Sequence, residues 1–283
     1  MISRVVLGVA ALGFLASASA NAADMPARAP VYKAPAAVVA DGWTGFYVGG
    51  HVGGAWTDID SSVTDVFQTF AFPVQNRSAS DSSVIGGAQI GYNWQFAPNW
   101  VLGIEADWSW TDLNPGTLIS PIPATGGGVI AGGSFVSAAA DVNWLASLRG
   151  RIGYTWDNRW LAYFTGGVAW ADVDYSADAQ CNPAICVPGS RSPVSFSKTK
   201  TGFVVGGGLE YKFVGSGWIL GAEYLFYGFD GEGATSPLLN FASGAPLAFG
   251  ACAAGAACIA HNFGDLDIHV VRARLSYKFG GPY

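Results

Sequence analysis

Hydrophobic and polar residues alternate with a period of two through residues 141–175. The apolar positions are Trp144, Ala146, Leu148, Ile152, Tyr154 and Trp156 in a first arm, and Trp160, Ala162, Phe164, Val168 and Trp170 in a second. This period indicates β-strands with two unlike faces, and the other face of the first arm carries Asn143, Arg149 and Arg151. Asp157 and Asn158 tolerate the backbone of a tight hairpin turn. The hairpin fits a soluble sheet, and it also fits a transmembrane barrel whose apolar face is turned to lipid.

Eight strand-like runs follow one another after residue 43. They are Thr44–Trp56, Val84–Phe96, Trp100–Leu113, Val142–Trp156, Trp160–Tyr175, Thr199–Val214, Trp218–Asp230 and Leu266–Phe279. Tight turns at residues 97–99, 157–159 and 215–217 alternate with long connections at residues 57–83, 114–141, 176–198 and 231–265. Short turns on one side and long loops on the other are typical of bacterial outer-membrane barrels. The sequence therefore predicts an all-β fold, an eight-stranded antiparallel up-and-down transmembrane β-barrel with short periplasmic turns and long extracellular loops.

The composition favours a membrane location over the soluble alternative, a secreted β-sandwich. Hydrophobic residues make up 51% of the 283 residues and charged residues only 12%, whereas a soluble domain carries about 25% charged residues. After the N-terminal region no run reaches the ~18 consecutive apolar residues of a transmembrane helix. A closed barrel is then the structure that satisfies every backbone polar group in lipid. The net charge of -6 and the lack of a basic run argue against a nucleic-acid partner.

The N-terminal residues predict export. Residues 1–22 combine Arg4, a short apolar run and a terminal A-x-A site, which is the pattern of a cleaved signal peptide. Residues 23–42 are rich in Ala and Pro and predict an extended periplasmic leader. Residues 43–283 are the predicted barrel, and the predicted location is the outer membrane.

Short motifs occur in order along the barrel region. They are W-T-G-F-Y-V-G-G at 43–50, G-G-A-Q-I-G-Y-N-W-Q at 86–95, G-I-E-A-D at 103–107, L-R-G-R-I-G-Y at 148–154, T-G-G-V-A-W at 165–170, G-G-G-L-E-Y at 206–211 and V-R-A-R-L-S-Y-K-F at 271–279. With these motifs the chain resembles the small outer-membrane β-barrel surface antigens of alphaproteobacteria, which are related in architecture to the OmpA transmembrane domain. The resemblance implies the fold and the outer membrane, but no single activity, because such families include adhesins, envelope stabilisers and weak porins.

The resemblance also implies partners. Barrels of this kind lie among outer-membrane lipid and lipopolysaccharide, and the barrel assembly machinery reads an aromatic residue at the end of their last strand. Phe279 and Tyr283 are the two candidates for this assembly signal. The loops could contact a host or envelope partner, which the sequence does not identify.

The strand phase predicts a layer of charged residues inside the barrel. Its members are His51, Glu105, Asp107, Arg149, Arg151, Glu210, Lys212, Glu223, Arg272, Arg274 and Lys278. Eight strands leave an interior about wide enough for side chains to fill, and unpaired charges there cost several kcal/mol each. The layer is therefore either a salt-bridged plug, which the narrow bore favours, or the selectivity ring or proton relay of a channel.

Counting residues from the predicted periplasmic turns gives the expected pairs in this layer. Glu105 should lie across from Arg151, and Asp107 should lie near Arg149. Glu223 should lie within reach of Arg272 or Arg274. A plug of this kind predicts little steady conductance for the barrel, and more for Arg151→Ala or Glu105→Ala.

Signals for enzyme chemistry are weak, and the chain is not expected to be an enzyme. His51 points inward, His261 is expected to be solvated in the last long loop, and His269 lies on the lipid-facing phase near Asp267. These histidines have no convincing serine partner in the sequence. No helix follows the Gly-Gly runs, as a phosphate loop would require, and no His/Cys cluster has zinc spacing. The sequence predicts no catalytic site, no cofactor and no metal.

Four cysteines lie in two of the long connections. An exported protein meets an oxidising compartment, where disulfides form. Four cysteines permit three connectivities, and proximity favours Cys181–Cys186 and Cys252–Cys258 over the alternative of free thiols.

Three functions are compatible with these patterns. The first is a structural and surface-interaction barrel that stabilises the outer membrane and displays four loops. The second is a porin-like channel for small solutes, and the third is a lipid-modifying outer-membrane enzyme. The interior charges favour the first.

Overall fold

The computed structural model describes residues 42–65, 75–115, 120–121, 135–181, 189–240, 242–246 and 258–280. They fall within the structural unit 39–283, and the unit 1–38 lies outside the described residues, as do the predicted signal peptide and almost all of the predicted leader. The strands are β1 (Gly45–Asp65), β2 (Gln75–Ala97), β3 (Trp100–Leu113), β4 (Ser120–Pro121), β5 (Phe135–Trp156), β6 (Trp160–Cys181), β7 (Ser190–Lys212), β8 (Trp218–Phe229), β9 (Glu232–Pro237), β10 (Leu239–Asn240) and β11 (Cys258–Lys278).

Eight antiparallel strands close into a ring. Their order is β1-β2-β3-β5-β6-β7-β8-β11, and β11 pairs back with β1. The three short strands pair with members of this ring: β4 with β5, β10 with β7 and β9 with β11. The predicted eight-stranded up-and-down barrel is confirmed. No helix among the described residues is long and apolar enough to cross a membrane.

The three predicted tight turns lie together at one end of the barrel. The hairpin between β5 and β6 has Asp157 at φ 51° and Asn158 at φ 54°. Residues 157–159 link the paired Trp156 and Trp160, and Asp and Asn tolerate the positive φ that such a tight turn needs. Gly215 supplies the positive φ, 71°, in the turn between β7 and β8.

Most strands run further than predicted at the opposite end. The first predicted run ends at Trp56, but β1 continues to Asp65, and β2 already begins at Gln75. Residues 57–65 and 75–83 were therefore wrongly predicted as loop, and β5, β6, β7 and β11 extend in the same way. The prediction stopped short because the polarity of the two strand faces reverses at this level.

A band of rings on the outer face marks the reversal. This outer girdle consists of Trp56, Trp108, Trp110, Trp144, Trp170 and His269. We call the part between the girdle and the tight turns the turn-side half, and the part beyond the girdle the loop-side half. From Phe46 to Trp56 the outer face of β1 has the length of a tilted transmembrane strand, about 9–11 residues.

The two halves have opposite polarity. The turn-side half exposes large apolar side chains on its outer face, such as Val52 and Ile104. The loop-side half exposes polar residues such as Asp58 and Asp267. Its interior is an apolar core that includes Ile59, Leu113, Val142, Val173, Tyr175, Phe229, Phe263, Leu266 and Ile268. A bulge between Val142 and Trp144 also turns Asn143 outward, where the alternation predicted it inward.

Candidate functional site: the charge layer

Every residue of the predicted charge layer lies on the buried, inward face of the barrel. None of these side chains belongs to an exposed residue, and the arginines are at most 4% exposed. The strands position them by simple alternation, because every second residue of a strand points to the same side. Four arginines and four carboxylates form one network in the middle of the turn-side half.

Glu105 on β3 lies at the centre of this network. One of its oxygens, Oε1, is 2.5 Å from Arg149 Nη2, and the other, Oε2, is 3.4 Å from Arg151 Nη1. Arg274 Nη2 also donates to Oε2. Three arginines from β5 and β11 therefore converge on one buried carboxylate.

Glu223 on β8 is the second centre. It is 3.0 Å from Arg149, 2.7 Å from Arg272 and 3.1 Å from Arg274. Because Arg149 and Arg274 contact both Glu105 and Glu223, the two centres share partners across the bore. Breaking either centre would leave arginines in a dry environment with fewer countercharges.

The other two carboxylates complete the network. Glu210 on β7 is 2.6 Å from Arg151 and 3.5 Å from Arg274. Asp107 on β3 is 3.2 Å from Arg149 and 3.0 Å from Arg272, and it accepts a short hydrogen bond from Ser147. Four carboxylates thus face four guanidinium groups, and their formal charges cancel.

Two buried tyrosines extend the network and were absent from the predicted set. Tyr47 donates to Glu105 over 2.6 Å and accepts from Arg151 over 3.1 Å. Tyr163 donates to Glu223 over 2.9 Å, and its ring lies 4.0 Å from the guanidinium carbon of Arg151. Tyr163 occupies the inward phase between Ala162 and Phe164, and this phase was the sequence signal for it.

Asp107 lies near Arg149 as predicted, but the predicted position of Glu105 across from Arg151 is wrong by two residues. Glu105 lies opposite Arg149, whereas Arg151 lies opposite Gly103. Barrel strands are staggered by the shear of the barrel, which counting from the turns does not include. Arg151 still reaches Glu105 diagonally, and Glu223 lies directly opposite Arg272.

His51 lies beside the network and has a partner on each ring nitrogen. Its Nδ1 is 2.7 Å from Gln89 Oε1, and its Nε2 is 2.8 Å from Ser109 Oγ. Arg272 Nη1 lies 3.2 Å from the same Nε2. Because a guanidinium only donates, Nε2 accepts and Nδ1 carries the proton. Ser109 is a serine partner that the sequence analysis did not find, but an amide rather than a carboxylate orients this histidine.

Of the two remaining histidines, His261 is buried inside the barrel and His269 lies on its outer face. His261 is not solvated as predicted. It is only 1% exposed, because β11 extends to Cys258, and its Nε2 lies 3.3 Å from Ser236 Oγ. His269 is on the outer face as predicted, stacked on Trp56 at 5.9 Å, with its Nδ1 2.8 Å from the Tyr224 hydroxyl.

Several predicted residues lie at or beyond the edge of the described structure. Lys212 and Lys278 lie at the turn end and donate to the carbonyl of Gly42 over 3.4 and 2.6 Å. Phe279 is 48% exposed on the outer face. Cys186, Cys252 and Tyr283 lie outside the described residues, as do the side chains of Cys181 and Cys258, so both disulfides stay predictions. Among the described residues, no three or more His, Cys, Asp or Glu side chains are grouped to hold a metal ion.

Comparison with known proteins identifies the family. A model of the outer membrane protein beta-barrel domain matches residues 8–279. The 31 kDa outer-membrane immunogenic protein of Brucella melitensis biotype 1 is 30% identical over 229 residues, which cover 77% of this chain and 84% of the relative. A protein of the same description from Brucella suis biovar 1 matches to the same extent. The resemblance to alphaproteobacterial outer-membrane surface antigens is confirmed.

Solved structures give weaker matches. The outer membrane protease OmpT of Escherichia coli matches with a TM-score of 0.46 and 8% identity, over 83% of this chain and 97% of that one. The outer membrane protein OprG of Pseudomonas aeruginosa matches with a TM-score of 0.40 and 10% identity, over 84% and 99% of the two chains. By the family model and the Brucella relatives, this chain belongs to the outer membrane protein β-barrel domain family and resides in the outer membrane.

Proposed function

We propose that this protein is a closed structural barrel that stabilises the outer membrane and displays its loop end to surface partners. The observation that carries the proposal is the filled interior. A balanced network of buried ion pairs occupies the middle of the turn-side half, and an apolar core occupies the loop-side half. A barrel filled over most of its length supports a mechanical role over transport.

The charge layer opposes the passage of hydrated solutes. Its arginine side chains have at most 2% of their surface exposed, so water has almost no access to them. A solute would have to displace several paired side chains, and each displaced charge would lose its partner in a dry environment.

The apolar core of the loop-side half forms a second barrier. Rings from three strands meet inside it, with Tyr175 and Phe263 at 4.7 Å and Tyr175 and Phe196 at 5.1 Å between centroids. Because β6 and β11 are not neighbours in the ring, the contact between Tyr175 and Phe263 bridges the bore. Ions would meet a dry, apolar constriction there.

The outer surface supports contact with lipid on one half and with surface partners on the other. Two apolar grooves on the turn-side half, of about 560 and 580 Å³, have floors that include Gly50 and Gly150 and suit lipid chains. The loop-side half is polar outside and packed inside, so it forms a firm support for the loops. We propose outer-membrane lipid and lipopolysaccharide as neighbours, and a host or envelope partner for the loops.

We propose no catalytic role for His51 and Ser109. Both residues are buried in the filled bore, and Arg272 shares the nitrogen that a serine nucleophile would need as its base. The proposed partner in assembly is the barrel assembly machinery, with Phe279 or Tyr283 as the residue it reads.

Planar-bilayer recording tests the closed bore. We expect no steady conductance from the wild type or from the outer-face control Asp267→Asn. The sequence alone predicted more conductance for Glu105→Ala and Arg151→Ala. The apolar core would remain in place in both variants, so we now expect them to stay closed too. Large, stable single-channel steps from the wild type would replace this proposal with the small-solute channel.

Cells that lack the gene test the structural role. We expect them to release more periplasmic enzyme under detergent stress than the parent strain. The wild-type gene and a variant with shortened loops should both restore the barrier, because the barrel and not the loops provides it. Normal leakage in the deletion strain, measured at equal growth, would contradict the proposal.

A further inference from the structure

A buried tryptophan closes the turn end of the barrel, and neither the charge layer nor the apolar core includes it. Trp43 precedes β1, yet it is 0% exposed and points into the bore. Gly45 permits this path with φ 146°, a conformation that side-chain-bearing residues rarely adopt. A Cβ at this position would lie 2.5 Å from the carbonyl oxygen of Phe279 on the last strand. We call residues 42–45 the N-terminal latch.

Polar groups from four strands hold the latch. The indole Nε1 of Trp43 donates to Thr155 Oγ1 on β5 over 2.8 Å, and its backbone N donates to Gln95 Oε1 on β2 over 2.8 Å. The ammonium group of Lys212 on β7 lies 5.5 Å from the indole ring. Lys278 on β11 donates to the Gly42 carbonyl over 2.6 Å. Each contact comes from a different strand.

Apolar side chains from the other three strands complete the socket. Trp43 belongs to one buried cluster with Val101 of β3, Leu161 and Tyr163 of β6, and Ile219 of β8. Together with the polar contacts, every barrel strand other than β1 contributes to the surroundings of the latch. These seven strands surround one point only when β1 closes the gap between β2 and β11. The socket therefore exists only in the closed ring of eight strands.

From this geometry we propose that the N-terminal latch docks after the barrel has closed and holds the closed barrel against reopening. The burial of the whole indole stabilises the closed ring. It does not stabilise a partly assembled sheet, because such a sheet lacks part of the socket. A contact formed after the transition state slows unfolding and leaves the folding rate unchanged. The latch is thus a conformational lock on the seam between the first and last strands.

Folding and unfolding kinetics of the full chain without its predicted signal peptide test this proposal in lipid vesicles. The folded fraction can be followed by the gel mobility of unheated samples. We expect Trp43→Ala to unfold on the order of a hundredfold faster, since removal of a buried Trp is among the largest core losses. Its folding rate should change little. The control Trp94→Ala removes an outer-face indole that is 55% exposed, and it should accelerate unfolding far less.

A second variant covers the case in which Trp43→Ala does not fold. Thr155→Val keeps the indole and removes only its hydrogen-bond acceptor, so unfolding should accelerate about fivefold with folding unchanged. Slower folding at an unchanged unfolding rate, in either variant, would overturn the proposal by placing the latch contact before closure. Rates unchanged in both directions would overturn it as well.

Discussion

The turn-side and loop-side halves of the barrel share the same strands but have opposite polarity. In the turn-side half, Ile104 faces outward while its neighbour Glu105 is buried. In the loop-side half, Asp58 faces outward while its neighbour Ile59 is buried. The backbone pairing between β6 and β7 continues across the girdle without interruption, from Trp160 to Cys181.

The comparison teaches that strand pairing and polarity are set by different forces. Pairing satisfies backbone hydrogen bonds in any environment, whereas polarity follows the medium outside the barrel. Because lipid surrounds the turn-side half, its charged side chains face the interior, where they must pair with one another. Water outside the loop-side half makes its interior the only place to bury apolar surface.

The largest loss of stability should come from removing one carboxylate of the charge network inside the turn-side half. Glu105→Ala leaves Arg149, Arg151 and Arg274 with fewer partners in a dry site. We expect a loss of about 3–5 kcal/mol in the free energy of unfolding, measured by urea titration in vesicles. Asp267→Asn, on the outer face of the loop-side half, should change it by less than about 0.5 kcal/mol. Equal losses in the two variants would show that the network is not a stabilising unit.

A matched pair of leucines on β11 compares the two halves directly. Leu266 lies in the apolar core of the loop-side half, and Leu275 lies on the outer face of the turn-side half. Leu266→Ala should cost about 2–5 kcal/mol, because it loses transfer free energy and leaves a cavity. Leu275→Ala should cost about 1–2 kcal/mol, because lipid chains fill the space and only the transfer term is lost. A larger loss for Leu275→Ala in the same urea titration would contradict the assigned polarity.

The pH dependence of stability should report on the loop-side core through His261. Burial lowers the pKa of His261 to about 4, whereas an unfolded histidine titrates near 6.5. Between these values the unfolded chain binds a proton that the folded chain does not. The contribution of neutral His261 to the free energy of unfolding should therefore be fully present above pH 6.5. It should fall by about 3 kcal/mol as the pH decreases toward 4.

The variant His261→Asn isolates this contribution, because carboxylates titrate in both proteins. The difference between the urea midpoints of wild type and variant should shrink as the pH falls from 7 to 4.5. A difference that stays constant over this range would mean that His261 is solvated, as the sequence had suggested.

Alternation alone was enough to predict the turn-side half. Apolar residues recur at every second position there, and this pattern located eight strands, three tight turns and the inward phase of Glu105, Arg149 and Glu223. The strands were lost beyond Trp56, because polar outward residues and small inward residues such as Ala138 and Ala177 look like a loop in sequence. The reversal of strand polarity can be predicted only if the medium outside the barrel is allowed to change from lipid to water along a single strand.

Features that depend on three-dimensional stagger could not be predicted by counting. The register that sets Glu105 opposite Arg149 follows from the shear of the closed ring. The contact between His51 and Ser109 joins β1 and β3, which are not adjacent in the ring. Trp43 looked like the start of a strand motif, and only the positive φ of Gly45 turns it into the bore.

The reversal at the outer girdle also fixes the height of the protein in the membrane. A shift toward the short turns would draw carboxylates such as Asp58 into hydrocarbon, and the opposite shift would lift residues such as Val52 into water. Between Trp170 and Cys181, β6 alone climbs roughly 25–30 Å, given about 3.3 Å per residue and a tilt near 40°. The strands therefore set the height of their own loop-side ends, such as Asp65 and Cys181, above the lipid.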